Sequence, residues 1–131
     1  MPLLTTTITN AILTAYCACG HHAQCPKGTL TASGVRPIQG RTVAVSRQIP
    51  LGSDVHIRLN SSRPHSEAKL PSFLGSTSVS TKYVAEDRFN KRFEQYDNIK
   101  RVDIFFGTNH AAAVKFGKQT GTVTYTINNN K

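Results

Sequence analysis

Apolar and polar side chains alternate along several short runs of this sequence, and a turn residue closes most of them. In Asp54-Val55-His56-Ile57-Arg58-Leu59 every second residue is apolar, which is the period of a half-buried strand. Arg41 to Val45 reads as a strand closed by Ile49-Pro50-Leu51-Gly52. Residues 3–16 mix Leu, Thr, Ile and Tyr, a β-branched composition that predicts one or two strands. Gly121 to Ile127 reads as the last strand. The stretch from Thr108 to Gly117 breaks the pattern: Thr108 or Asn109 can cap a short helix, alanines fill it, and Gly117 stops it. Residues 60–79, rich in Ser and Pro, read as a long surface loop. Many short strands, frequent turns and one late helix predict a mainly β chain folded as a small closed barrel, not a layered α/β sheet.

Two of these runs frame a polar loop between Tyr83 and Phe106, and each carries an aspartate, Asp87 in the first and Asp103 in the second. In Arg101-Val102-Asp103-Ile104-Phe105-Phe106 alternation sends Val102, Ile104 and Phe106 to a core. Arg101, Asp103 and Phe105 then share the other face. A carboxyl between a cation and a phenyl ring suits a cleft, with the ring disfavouring its charged form and the arginine favouring it. The same pattern also fits an ordinary surface salt bridge. The loop holds Arg88, Lys91 and Arg92 with Phe89, Phe93 and Tyr96. Those aromatics fit one buried face of a short helix, or a surface on which sugars or bases stack.

Composition narrows the partners. The 131 residues fit one domain, spanning 1–131. Lys and Arg number 16 against 7 Asp and Glu, a net charge of +9 that favours anionic surroundings. Nucleic acid, an anionic membrane surface and a wall polymer all fit, but no block of like charge marks a nucleic-acid arm. No apolar run approaches the ~18 residues of a membrane span, so no transmembrane segment is expected. The first residues lack Lys and Arg and are broken by threonines, a poor signal peptide.

Cys17, Cys19, His21, His22 and Cys25 crowd into one segment. Their spacing matches no standard zinc finger, so neither a metal nor a cofactor is expected. A disulfide between Cys25 and either Cys17 or Cys19 is expected if the protein works outside the cytoplasm. His110, at the start of the late helix, is expected to be a solvated surface residue.

Seven short motifs then fall in a telling order: Thr14-Ala-Tyr16-Cys17, Thr31-Ala-Ser33-Gly34, Gly40-Arg-Thr-Val-Ala-Val45, Ile49-Pro-Leu-Gly52, Val84-Ala-Glu86-Asp87, Val102-Asp103-Ile-Phe-Phe106 and Ala113-Val-Lys-Phe-Gly117. Over residues 12–127 the chain resembles the three-aspartate (3D) domains. These are the catalytic modules of membrane-bound lytic transglycosylase A and of small stationary-phase and spore muralytic proteins. The resemblance implies a six-stranded double-psi β-barrel with one or two short helices. Two of the family's three aspartates map onto Asp87 and Asp103. Where the first usually stands, this chain has Ser46. The loop after Asp87 is also longer and more basic than is usual in the family.

The resemblance implies a peptidoglycan lytic transglycosylase. Asp103 would act as acid and then base on the bond between N-acetylmuramic acid and N-acetylglucosamine, leaving a 1,6-anhydro product, with Asp87 beside it. Thr14, Tyr16, Thr31, Ser33, Gly34, Ser46, Arg88 and Arg101 are the expected substrate contacts. The partner would be peptidoglycan glycan strands, with no nucleic acid, and the protein would be a monomer of the cell envelope or the extracellular space. A phage lysin without a signal peptide also fits. The alternatives are a hydrolytic muramidase using two carboxylates and, because of Ser46, a non-catalytic expansin-like barrel that binds wall polysaccharide.

Overall fold

A single set of alternating positions fills the centre of the molecule. The computed structural model describes residues 3–18, 30–59, 81–89 and 98–128. In chain order its elements are β1 (Leu3–Tyr16), β2 (Thr42–Val45), β3 (Asp54–Leu59), β4 (Thr81–Arg88), β5 (Arg101–Phe105), α1 (His110–Phe116) and β6 (Gln119–Asn128). The strands close into a barrel in the order β1-β5-β2-β4-β3-β6. Two contacts, β1 with β5 and β2 with β4, are parallel, and the other four are antiparallel. The expected mainly β barrel of six strands with a short helix is therefore the observed fold.

The inward positions are those that alternation picks out. Val55, Ile57 and Leu59 of β3 are buried, as are Val102, Ile104 and Phe106 in and just after β5. They meet Leu13 of β1, Val43 and Val45 of β2, Tyr83 and Ala85 of β4, and Val123 and Tyr125 of β6. Burying a side chain of this kind contributes about 1.5–3 kcal/mol, so this shared interior holds the strands in register. Where β6 crosses β3, a Cβ on Gly121 would lie 2.7 Å from the Arg58 carbonyl oxygen, so only glycine fits.

Residues 3–16 form one strand that behaves as two. Its register against β6 shifts between Ile8 and Ala11, and Asn10 there adopts φ 57, a left-handed conformation that asparagine tolerates. The bulge lets the first half pair with β6 alone, while the second half also pairs with β5. The helix starts and stops as its sequence predicts. The Asn109 side chain accepts a hydrogen bond from the Ala112 amide, and Gly117 ends the helix at φ 60. Its buried Phe116 packs on Phe106 with ring centres 5.3 Å apart.

Candidate active site

The site lies on the outside of the barrel wall, where β1, β5, β2 and β4 run side by side. In the parallel β1–β5 pair Thr14 is opposite Asp103 and Tyr16 opposite Phe105. Across the next pair Asp103 faces Ala44, and across the one after that Ala44 faces Asp87. The two aspartates therefore flank the small side chain of Ala44 on one row of the sheet. With one strand between them, their Cα atoms stand roughly 9–10 Å apart.

Asp87 reaches this row through a β-bulge. Val43 pairs with Ala85, but the next residue, Ala44, pairs with Asp87, so Glu86 is passed over. Strict alternation after Tyr83 and Ala85, both buried in the core, would turn Asp87 inward. The extra residue resets the phase and aims Asp87 outward, a common use of a bulge beside a functional site. Glu86 is not idle. It is buried, accepts a 2.8 Å hydrogen bond from the Thr42 hydroxyl and pairs with Arg41 at 3.0 Å.

A second layer covers this part of the wall. Thr42, Ala44 and Glu86 point away from the core, yet each is at most 5% exposed. The segment 30–40 runs over them. The Ser33 amide donates to the Glu86 carbonyl at 3.0 Å, and the Ala32 amide donates to Asp87 Oδ1 at 3.0 Å. The segment is shaped by a tight turn in which Gly34, at φ 86, donates its amide to the Thr31 carbonyl. The Thr31 hydroxyl donates to the Val35 carbonyl at 2.8 Å. Thr31 and Gly34 thus build the turn, while Ser33 is exposed at its tip.

The two carboxyls have different company. Asp87 accepts three hydrogen bonds: Oδ1 from the amides of Ala32 and Arg88, and Oδ2 from the Tyr16 hydroxyl at 3.1 Å. Asp103 Oδ1 accepts one from the Thr14 hydroxyl at 3.0 Å. Burial drives the Asp103 pKa up to about 6, with the negative charge of Asp87 adding to the rise; the Thr14 bond and the Arg101 charge act against it. The expected contest between a ring that desolvates and an arginine that favours charge is thus present, and desolvation wins. Phe105 is 5% exposed and stacks on Tyr16 with centres 5.2 Å apart. Burial and the nearby aspartates keep the Tyr16 hydroxyl protonated, so it serves as a donor.

Other expected contacts fall differently. The Arg88 guanidinium donates to the carbonyls of Ser46 and Ile49, at 2.8 and 2.7 Å. Ser46 is 1% exposed, and its hydroxyl accepts from the Gln48 amide. This pair braces the turn after β2. Arg101 is partly exposed at the start of β5, opposite Ile12. His110 departs from expectation: it is partly buried, with Nδ1 3.2 Å from Cys17 Sγ. The Ala18 amide donates to the Gly107 carbonyl, which draws the end of β1 against the start of α1. Cys17 is disulfide-bonded. Cys19, His21, His22, Cys25 and the loop residues 90–97 lie outside the described residues. Among the described residues no group of His, Cys, Asp and Glu is gathered to hold a metal, and no helix is long and apolar enough to cross a membrane.

Glu86, Thr42, Arg41 and the Ala32 amide were not expected to take part. Glu86 stood beside Asp87 in a motif, but no local pattern in the sequence marks a bulge.

No family model and no curated protein matches this sequence. Solved structures do. A crystal structure of Escherichia coli MltA with bound chitohexaose aligns with 79% of this chain at 20% identity and a TM-score of 0.52. A variant of the same lytic transglycosylase in an apo form aligns with 75% of the chain at 19% identity and a TM-score of 0.52. A membrane-bound lytic murein transglycosylase from Agrobacterium tumefaciens aligns at 18% identity and a TM-score of 0.46. The alignments cover only 29%, 27% and 26% of those longer chains. The barrel described here is thus similar in fold to a part of the MltA lytic transglycosylases.

Proposed function

We propose that this barrel cleaves peptidoglycan glycan strands as a lytic transglycosylase, with Asp103 as its acid and base. The observation that carries the reading is the Asp103 carboxyl itself. It is a desolvated group with a pKa near 6, held on the outer wall by Thr14. A single group that first gives and then takes a proton works best with a pKa near the working pH. Thr14 fixes Oδ1, which leaves Oδ2 to carry the proton. Protonated Asp103 gives it to the glycosidic oxygen as the bond breaks and positive charge grows on the sugar ring. The resulting carboxylate takes the proton of the C6 hydroxyl, whose oxygen closes the 1,6-anhydro ring. Asp87 holds negative charge beside the developing cation. The fold shared with MltA supports the substrate class.

Asp87 also bears on the choice between lyase and hydrolase. A two-carboxylate hydrolase needs a second group to take a proton from water. Both Asp87 oxygens are already engaged by three donors, which suits a fixed charge better than a base. The protein is expected to act in the cell envelope, where this substrate is found. The test is mass spectrometry of the soluble products released from purified sacculi. Anhydro-muropeptides from wild type and none from Asp103→Asn are expected. Reducing-end products would replace the lyase with a hydrolase. Protein that binds sacculi yet releases nothing would leave a binding barrel.

A further inference from the structure

The three outward-facing rungs of the β1–β5 pair are not equally open. Tyr16 and Phe105 form one rung, Thr14 and Asp103 the next, and Ile12 and Arg101 the third. The first rung is the tighter one: Phe105 is 5% exposed, and the half-buried Tyr16 ring lies against it with its hydroxyl donated to Asp87. Ala44 and the covering segment close the side towards β4. The third rung is partly open at both residues. A chain-like substrate whose reacting bond sits at Asp103 therefore leaves this end of the site across Arg101. Arg101 is two residues along the strand from Asp103 on the same face, a separation of roughly 7 Å. Its charge already reaches the acid, and the exposed Lys100 adjoins it.

We propose that Arg101 is a specificity-determining residue that recognises a carboxylate on the substrate next to the cleaved bond, such as those of the acyl and peptide substituents of a wall glycan. The inference rests on the glycan-cleaving reading above and deepens it. A guanidinium offers a planar fork of donors that matches a carboxylate, and such charge-assisted pairs are stronger than neutral ones. A neutral sugar polymer offers Arg101 nothing comparable. The arrangement also couples recognition to chemistry. Among the described residues the charged groups acting on Asp103 are Arg101 from its own strand and Asp87 from β4, with Tyr16 from β1 as a neutral donor nearby. A bound carboxylate would offset the Arg101 charge and so favour the protonated acid that cleavage requires.

The experiment compares soluble peptidoglycan fragments that carry free carboxylates with neutral chitooligosaccharides. Cleavage is followed in otherwise wild-type protein, and binding is measured in the Asp103→Asn background. Arg101→Gln is expected to raise KM, and to weaken binding, by roughly 10- to 100-fold for the anionic fragments, with little change for the neutral ones. Arg101→Lys should recover part of the loss. The alkaline-side midpoint of the rate profile should move to higher pH in Arg101→Gln, since the charge that opposed protonation is gone. Equal losses on both ligands, or no loss on either, would overturn the inference while leaving the cleavage reading intact. Arg101-dependent binding of anionic fragments without any cleavage would uphold it and remove that reading instead.

Discussion

Two outer faces of one barrel differ sharply in what they do with water. On the far side, β1, β6 and β3 set Thr7 opposite Thr124 and Thr124 opposite His56, with Thr5, Thr126 and Asp54 on the next row. The side chains there are exposed or half-buried, as expected of polar outward positions in a sheet with one buried face. Asp54 has the exposed Lys82 at 3.7 Å. On the near side the outward positions are Thr42, Ala44, Glu86, Asp87 and Asp103. A covering segment and a Tyr16–Phe105 stack take most of them out of water. Both faces follow alternation, reset on the near one by the bulge at Glu86. Among the described carboxyls, only those of the near face meet a second layer that takes them out of water while leaving donors to hold them.

The largest expected effect separates the faces by activity. Asp103→Asn should lower the cleavage rate by about 100- to 10,000-fold, the usual span for a general acid–base group. Asp54→Asn should leave it within about twofold, since Asp54 is on the far face and pairs only loosely. Rates on purified sacculi decide it, and equal losses would dissolve the contrast.

Stability sharpens the comparison next. Glu86→Ala removes the buried acceptor of Thr42 and the partner of Arg41. It should cost about 2–3 kcal/mol, because the buried Thr42 O–H loses its acceptor, though its oxygen still accepts from the Ile38 amide. Denaturant unfolding measures this, and a loss below about 0.5 kcal/mol would mean that the cover is not held by Glu86.

The Asp103 pKa is raised on folding, so the folded chain binds the proton more tightly than the unfolded one. Stability is then lost as pH rises from the ordinary carboxylate value through about 6, and it stays lower above that. Asp103→Asn escapes this penalty. It should be more stable than wild type by roughly 1–3 kcal/mol at about pH 8, and the gain should vanish below about pH 4. An advantage independent of pH would contradict the desolvated acid. The smallest effect belongs to the far face, where Thr126→Ala should change stability by less than about 0.5 kcal/mol.

Much of this architecture was legible in the residues. The strand Asp54–Leu59 appears with the bounds that its alternation marks, and the cap and stop of α1 are carried by Asn109 and Gly117. Both are local effects, set by neighbours within a turn or a strand. Asp103 was legible for the same reason, since Arg101 and Phe105 flank it on its own strand. What escaped depends on distant partners. Arg88 braces the turn at Ser46 from 42 residues away, a link between two expected substrate contacts that no local pattern marks. The bulge at Glu86 exists only in relation to β2. The cover from Ala32 exists only in relation to Asp87. His110 was misplaced as a solvated residue because nothing near it in sequence shows that Cys17 lies against it.

If the covered face desolvates Asp103 as described, its carboxyl holds a proton to spend near neutrality. The most direct test follows the Asp103 side-chain carboxyl by carbon-detected NMR as pH is varied, with Asp103→Asn to assign the signal. A midpoint of about 6 is expected. A midpoint near 4, the value of an unperturbed aspartate, would mean that the face is open to water and that Asp103 is not the acid.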